Sequence, residues 1–166
     1  MHFNTFCTNL KKFYKIFTAV LCVFTIFGCS LSMKTQKEVD LRKLDRTGHP
    51  NDWMACSRNI CLGDLNTEIP IFAISKQKLI QLTKRLFIEK PRTKFIRFVP
   101  KLDQLIFVQR SKFLRFPDTV WIQFFELETG TSLIIYSRSN YGYYDFGVNR
   151  KRVNSWIKSL EAVTQK

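Results

Sequence analysis

The sequence predicts a single α+β domain: a four-stranded antiparallel meander with an amphipathic helix before it and a C-terminal helix after it, both helices on one face of the sheet. Three observations predict it. Apolar residues recur at helical spacing at Leu79, Leu82 and Leu86, and again at Val153, Trp156, Ile157, Leu160 and Val163. Between these stripes lie four segments rich in aromatic and β-branched residues, 94–99, 104–109, 119–127 and 132–139. Two of the connections, Pro100-Lys101-Leu102-Asp103 and Glu128-Thr129-Gly130-Thr131, have turn chemistry and hairpin length.

The first helix opens at Ser75, whose hydroxyl suits a cap, and it presents Ile80 and Phe87 beside the leucine stripe while Gln77, Gln81, Lys84 and Arg85 fill the other side. Pro91 ends it, because the residue before a proline is pushed out of helical geometry. The connection over 110–118 is longer than a hairpin turn and predicts a bulge or a short turn. The last helix runs over about 149–163, with Asn149 as its cap.

Ahead of this domain, Lys11, Lys12 and Lys15 precede an apolar run of twelve residues, 16–27, which is the grammar of a secretory signal. It is shorter than the roughly 20 residues that span a bilayer. Ile26-Phe27-Gly28-Cys29 resembles the bacterial lipobox, which implies cleavage before Cys29 and acylation of its thiol. Ser30 stands where an aspartate would, by the usual sorting rule, retain a lipoprotein at the inner membrane, so the outer membrane is favoured. On this reading residues 1–28 are a lipoprotein signal peptide, 29–50 a lipidated N-terminus and flexible tether, and 51–166 the domain. Of the five cysteines only Cys56 and Cys61 then remain in the domain. A disulfide ring, two free thiols and a metal site are all open for such a pair, and the first suits an oxidising compartment. A metal is the least favoured, since His49 is the one histidine left to help ligate it.

Lys and Arg number 27 against 13 Asp and Glu, and the excess is local: residues 76–115 hold twelve cations and only Glu89 and Asp103. Such a run is either a solvated face or an attraction to an anionic surface. Outside the cytoplasm that surface would be phospholipid headgroups, lipopolysaccharide or other envelope polymers, or an envelope protein. Phe95, Phe98, Phe107, Phe113 and Phe116 interleave with the charges, as on nucleic-acid surfaces, but an envelope address leaves no nucleic acid to bind.

The segment "SRSNYGYYDFGVNRKRVNSW" is the hardest to read as plain scaffold. Arg150, Lys151 and Arg152 fall in the first turn of the last helix, where a cation opposes the dipole by about 0.3–1 kcal/mol. Either Asp145 pairs with Arg150 or Arg152 while Arg138 bonds loop carbonyls, or the corner binds an anion. In the second case the candidate ligand-binding residues are Arg138, Tyr143, Asp145, Asn149, Arg150 and Arg152, with free helix amides contributing.

Residues 138–152 read R-S-x-x-G-x-x-D-x-G-x-N-R-x-R, through Arg138, Ser139, Gly142, Asp145, Gly147, Asn149, Arg150 and Arg152. This resembles the signature of the domain-of-unknown-function 1499 family, which includes bacterial envelope lipoproteins. Upstream, "RSKFLRFPDTV" resembles the same family's second run at Arg110, Ser111, Arg115, Phe116, Asp118 and Val120, with Thr119 where a second acidic residue is common. Arg110, Ser111, Arg115 and Asp118 are therefore secondary site candidates. The resemblance covers about residues 50–161 and implies no established activity.

No catalytic constellation is recognisable: the chain lacks G-x-S-x-G, H-E-x-x-H, P-loop and dinucleotide fingerprints, and no cofactor is implied. The reading that follows is a lipid-anchored binding or accessory module of the cell envelope with an Arg/Asp/Asn anion corner, facing the periplasm and held to the membrane by its N-terminal lipid. The alternatives are a hydrolase or transferase acting on an envelope polymer, and a structural lipoprotein docking on anionic membrane through its basic segment.

Overall fold

The computed structural model describes residues 37–46, 48–58, 60–61 and 65–165. The signal segment and acylation at Cys29 lie outside the described residues. Six strands form one sheet: β1 Asp52–Cys56, β2 Thr67–Glu68, β3 Thr93–Val99, β4 Gln104–Arg110, β5 Pro117–Leu127 and β6 Gly130–Ser139. Their order is β2-β1-β6-β5-β4-β3. The two α-helices among the described residues are α1, Lys76–Ile88, and α2, Val148–Thr164.

This corrects the four-stranded antiparallel meander expected above. The strands β3 to β6 do pair antiparallel in sequence order, but β1 adds to the outer side of β6 and β2 pairs parallel with β1, so the sheet is six-stranded and mixed. The physical reason is burial. Seven successive residues of β6, Thr131 to Ser137, are buried, which is the pattern of a central strand covered on both faces and flanked on both sides rather than of a meander's edge.

Both helices lie on one face. Leu79 and Phe87 of α1 and Val153, Trp156, Ile157 and Leu160 of α2 share a core with Leu105, Phe107, Val120, Ile122, Leu133 and Ile135 from the sheet. Phe87 packs on Trp156 with ring centroids 4.2 Å apart, and Phe107 meets Trp156 edge-on at 5.9 Å. Ser75 stands at the N-cap with extended backbone, but its hydroxyl makes no capping bond.

The opposite face is covered too. Met54, Cys56, Ile106, Trp121, Ile134 and Tyr136 form a second core with Leu41, and Leu44, Ile60, Cys61 and Leu65 pack against it. Residues 37–46, within the stretch read as tether, are thus part of the domain. Buried Gln104 and Gln123 explain how: Gln104 Nε2 donates to the Val39 carbonyl at 2.7 Å, and Gln123 Oε1 accepts the Leu41 amide at 2.8 Å. Trp121 Nε1 also donates to the Lys37 carbonyl at 3.0 Å. Two polar residues on buried strands therefore satisfy the backbone of an irregular segment that has no ladder of its own. A Cys56–Cys61 disulfide, Cα atoms 6.1 Å apart, fastens the end of β1 to the loop covering this face.

At the edge of the second core the buried Asp52 carboxylate accepts from the Tyr136 hydroxyl at 2.9 Å and pairs with Arg46. Burial, then the Asp52 charge, push the Tyr136 phenol well above its ordinary value of 10.0. The sign is fixed: above pH 10 the unfolded chain loses this proton while the folded chain keeps it, so stability falls with rising pH. Its bond to Asp103 raises the Lys76 ammonium in the same direction. Urea unfolding is expected to weaken by up to about 1.4 kcal/mol per pH unit above pH 10 on account of Tyr136 alone, and Tyr136→Phe is expected to flatten that slope.

Gly130 is fixed by a close approach. Phe72 bridges Thr131 through two 2.8 Å backbone bonds, and a Cβ on Gly130, at φ +140, would stand 2.3 Å from the Phe72 carbonyl oxygen. Gly130→Ala is expected to cost about 3 kcal/mol. Gly48→Ala, where a Cβ meets nothing within 4 Å, is expected to cost only the left-handed strain of about 1 kcal/mol, and comparing the two urea midpoints checks this.

Candidate functional site

The motif residues converge at the sheet end where β4, β5 and β6 meet the N-terminus of α2. The centre is Arg152, its side chain 3% exposed. Its Nε donates to Gln109 Oε1 at 2.5 Å, Nη1 to Ser137 Oγ at 2.8 Å and to Asn149 Oδ1, and Nη2 to the buried Asp118 carboxylate at 2.5 Å. One guanidinium thus ties β4, β5 and β6 to α2.

Asn149 is not the helix cap. The helix begins at Val148 after Gly147, whose φ of +73 is left-handed, and Asn149 lies inside the first turn, fully buried. Its Nδ2 donates to the Asn51 carbonyl at 2.9 Å, to Ser139 Oγ at 3.1 Å and to Asp145 Oδ2 at 2.8 Å. The cap is Asp145, whose two carboxylate oxygens accept the Gly147 and Asn149 amides, each at 2.8 Å. A carboxylate at the helix N-terminus is the charge the dipole favours, and it offsets the cations that follow. Asp145 pairs with neither Arg150 nor Arg152. Asn51 closes the ring by donating from Nδ2 to the Gly142 carbonyl at 2.6 Å.

The remaining candidates point elsewhere. Arg150 is exposed and sits over the Trp53 ring, 5.4 Å from its centroid. Tyr143 is exposed and meets His49 edge-on at 4.7 Å. Arg138 follows Ser137 on β6, so strand alternation turns it to the opposite face of the sheet from Arg152, near Asp52 and Tyr136. The six primary candidates therefore divide: Asp145, Asn149 and Arg152 bond one another's neighbourhood, while Arg138, Tyr143 and Arg150 do not join them.

The secondary candidates build a neighbouring loop. Arg110 Nη1 donates to the Arg115 carbonyl at 2.9 Å, the Ser111 amide to the Phe116 carbonyl at 2.9 Å, and the Phe116 amide to Ser111 Oγ at 3.0 Å. These bonds cinch residues 111–116 so that Phe113 and Leu114, 84% and 71% exposed, form its tip. The loop adjoins residues 140–147: the Asn140 amide donates to the Pro117 carbonyl at 3.3 Å, and the Phe116 and Tyr141 rings lie 6.5 Å apart. Gln109, Ser137 and Asn51 were missed as partners from the sequence, although Gln109 and Ser137 fall at the inward positions of otherwise apolar strands.

The twelve cations of residues 76–115 are spread over α1, the α1–β3 connection, β3, the turn after it, β4 and the 111–116 loop, and several are engaged within the protein. Lys76 bonds Asp103 at 2.7 Å, Lys90 bonds Ser159 at 2.6 Å, Lys101 pairs with Glu38, and Lys84 stands over the Phe95 ring. Phe107 is core.

Fold and site together define a small α+β domain with both sheet faces covered, in which a self-bonded Arg/Asp/Asn corner supports two exposed aromatic loops. The chain belongs to the family described as "Protein of unknown function (DUF1499)", whose model matches residues 66–160, more than half of its length. No curated protein and no solved structure matches it.

A buried pair loses heavily when one partner is removed, because the other is left charged and desolvated. Arg152→Met is expected to lower unfolding free energy by about 3–5 kcal/mol, and Arg152→Met with Asp118→Leu to recover most of the loss. Arg150→Ala is expected to cost under about 1 kcal/mol, the value of an exposed cation–π contact. Urea unfolding of the three variants measures all of these.

Proposed function

We propose that this chain is a lipid-anchored protein of the bacterial cell envelope whose domain is a binding module, with its binding surface on the two aromatic loops, 111–116 and 140–148. One observation carries the reading. The polar residues that look most like a ligand site are already bonded to one another: the Arg152 guanidinium makes four hydrogen bonds inside the protein, and Asp118 and Asn149 are buried with it. An anion entering this corner would have to displace them. The exposed apolar groups lie instead on the loops they support, and Arg150 and Lys151 stand exposed just beyond the second loop, in the first turn of α2. The lipid anchor is supported by the lysine-flanked apolar run ending in Ile26-Phe27-Gly28-Cys29, and the Cys56–Cys61 bond accords with an oxidising compartment.

Intact mass of the membrane-extracted protein is expected to match residues 29–166 plus acyl chains, and Cys29→Ala to abolish that species; an unacylated native chain would end the anchoring reading. For the surface, Phe113→Ser with Phe146→Ser is expected to keep the unfolding midpoint yet fail to complement a deletion strain. Ile88→Ser, an exposed apolar side chain on α1 outside the loops, is expected to complement it.

A further inference from the structure

We infer that the two loops dock this domain onto an anionic lipid bilayer, their aromatic tips entering the headgroup region while the surrounding cations meet lipid phosphates; this rests on the binding-surface reading above. Eleven large hydrophobic side chains are exposed among the described residues. Eight of them lie in residues 113–116 and 141–148. Scattered exposure needs no explanation, but exposed apolar surface concentrated on two adjoining loops marks a contact surface.

The charge pattern selects the partner. Arg110, Lys112 and Arg115 flank Phe113 and Leu114 in the chain, residues 110–116 contain no acidic side chain, and Arg150 and Lys151 follow the second loop in the first turn of α2. The only carboxylate in residues 140–151 is Asp145, and both of its oxygens are turned onto backbone amides at the start of α2. A surface for a protein partner of mixed charge has no need to be cleared of acids in this way, whereas repulsion from lipid phosphates requires it. Tyrosine beside phenylalanine, leucine and arginine is also interfacial chemistry, with apolar bodies and polar tips.

The loops are held ready for this. Arg115 and Phe146 have left-handed backbones, φ 58 and 55, in residues that disfavour it. Each is fixed by its motif neighbours: the Arg115 carbonyl by Arg110, and the turn through Phe146 by the Asp145 bonds to Gly147 and Asn149. Both side chains are exposed. Continuity with the anchor adds a second argument. An acylated Cys29 is eight residues from Lys37, a reach of at most roughly 28 Å, so the domain would be confined close to the bilayer.

The test uses the protein as extracted from membranes, reconstituted in vesicles of phosphatidylglycerol and phosphatidylcholine containing dibrominated acyl chains. Phe113→Trp places a fluorophore at the tip, and Phe98→Trp, on β3, serves as control. Trp53, Trp121 and Trp156 emit in every variant, so each signal is the variant's emission less that of the unsubstituted chain. An interfacial residue sits roughly 5–10 Å into the boundary, within reach of the bromines, and this difference is expected to fall about two-fold for Phe113→Trp and to stay unchanged for Phe98→Trp. The quenching is expected to disappear in 1 M salt, where screening shortens to about 3 Å, and in phosphatidylcholine alone. Protein that floats with the vesicles while Phe113→Trp stays unquenched overturns the docking but leaves the anchor. Protein that fails to float overturns the anchored reading itself. A photocrosslinker at position 113 that captures one protein rather than lipid in cells overturns the bilayer as partner.

Discussion

The ion pair between Arg152 and Asp118 is the constraint on which this end of the molecule is built. Taking two charges out of water costs several kcal/mol per ion, and their attraction offsets this only when the remaining donors and acceptors are also satisfied. Arg152 meets that condition through Gln109, Ser137 and Asn149, one partner from each of β4, β6 and α2, with Asp118 from β5. The bonds require all four elements to stand in one register. A one-residue slip of β5 against β4 or β6 would turn Asp118 to the opposite face and leave the guanidinium buried and unpaired. Net stabilisation by such a pair is small, since apolar replacements of equal volume commonly match it; what it supplies is a steep penalty for the wrong arrangement.

From that fixed point the support passes outward in two directions. Asn149, held by Ser137 and Arg152, gives its amide to the Asn51 carbonyl and to Asp145. Asp145 then caps α2 and shapes the turn through Phe146. On the other side Asp118 begins the buried part of β5, immediately after the loop that Arg110 and Ser111 close. The motif residues thus act mainly on backbone and on one another, which explains how so polar a motif is compatible with an interior position.

Much of the secondary structure was legible because it rests on local pattern. The α1 stripe follows from side-chain periodicity, and β4 and β5 from their runs of aromatic and β-branched residues. The strand β1 was not legible, because Asp-Trp-Met-Ala-Cys is five residues long, opens on a charge and has no alternation of its own. It is a strand because β6 needs a partner on its outer side. Gln104 and Gln123 were equally silent: a glutamine on a strand reads as solvent-facing until the segment that fills its hydrogen bonds is known, and that segment is some 65 to 83 residues away in the chain. The inner position of Arg152 did have a signal. Positions 149, 152, 153, 156, 157 and 160 form one helical stripe, and all six are buried. The charge of Arg152 concealed its place on that stripe, because an arginine is read as exposed unless its carboxylate partner is identified.

A polar cluster suggests a ligand when its hydrogen-bonding capacity is unmet, and here it is met from within. Rigidity is what the cluster produces, and rigidity matters most where the exposed groups are aromatic. Phe and Tyr have few rotatable bonds, so on a backbone already held in place they would lose little further freedom on contact with a partner. Flexible loops bearing the same residues would collapse onto the sheet and bury them against the protein. The buried charges and the exposed aromatics are therefore parts of one arrangement, the first holding the second away from the core.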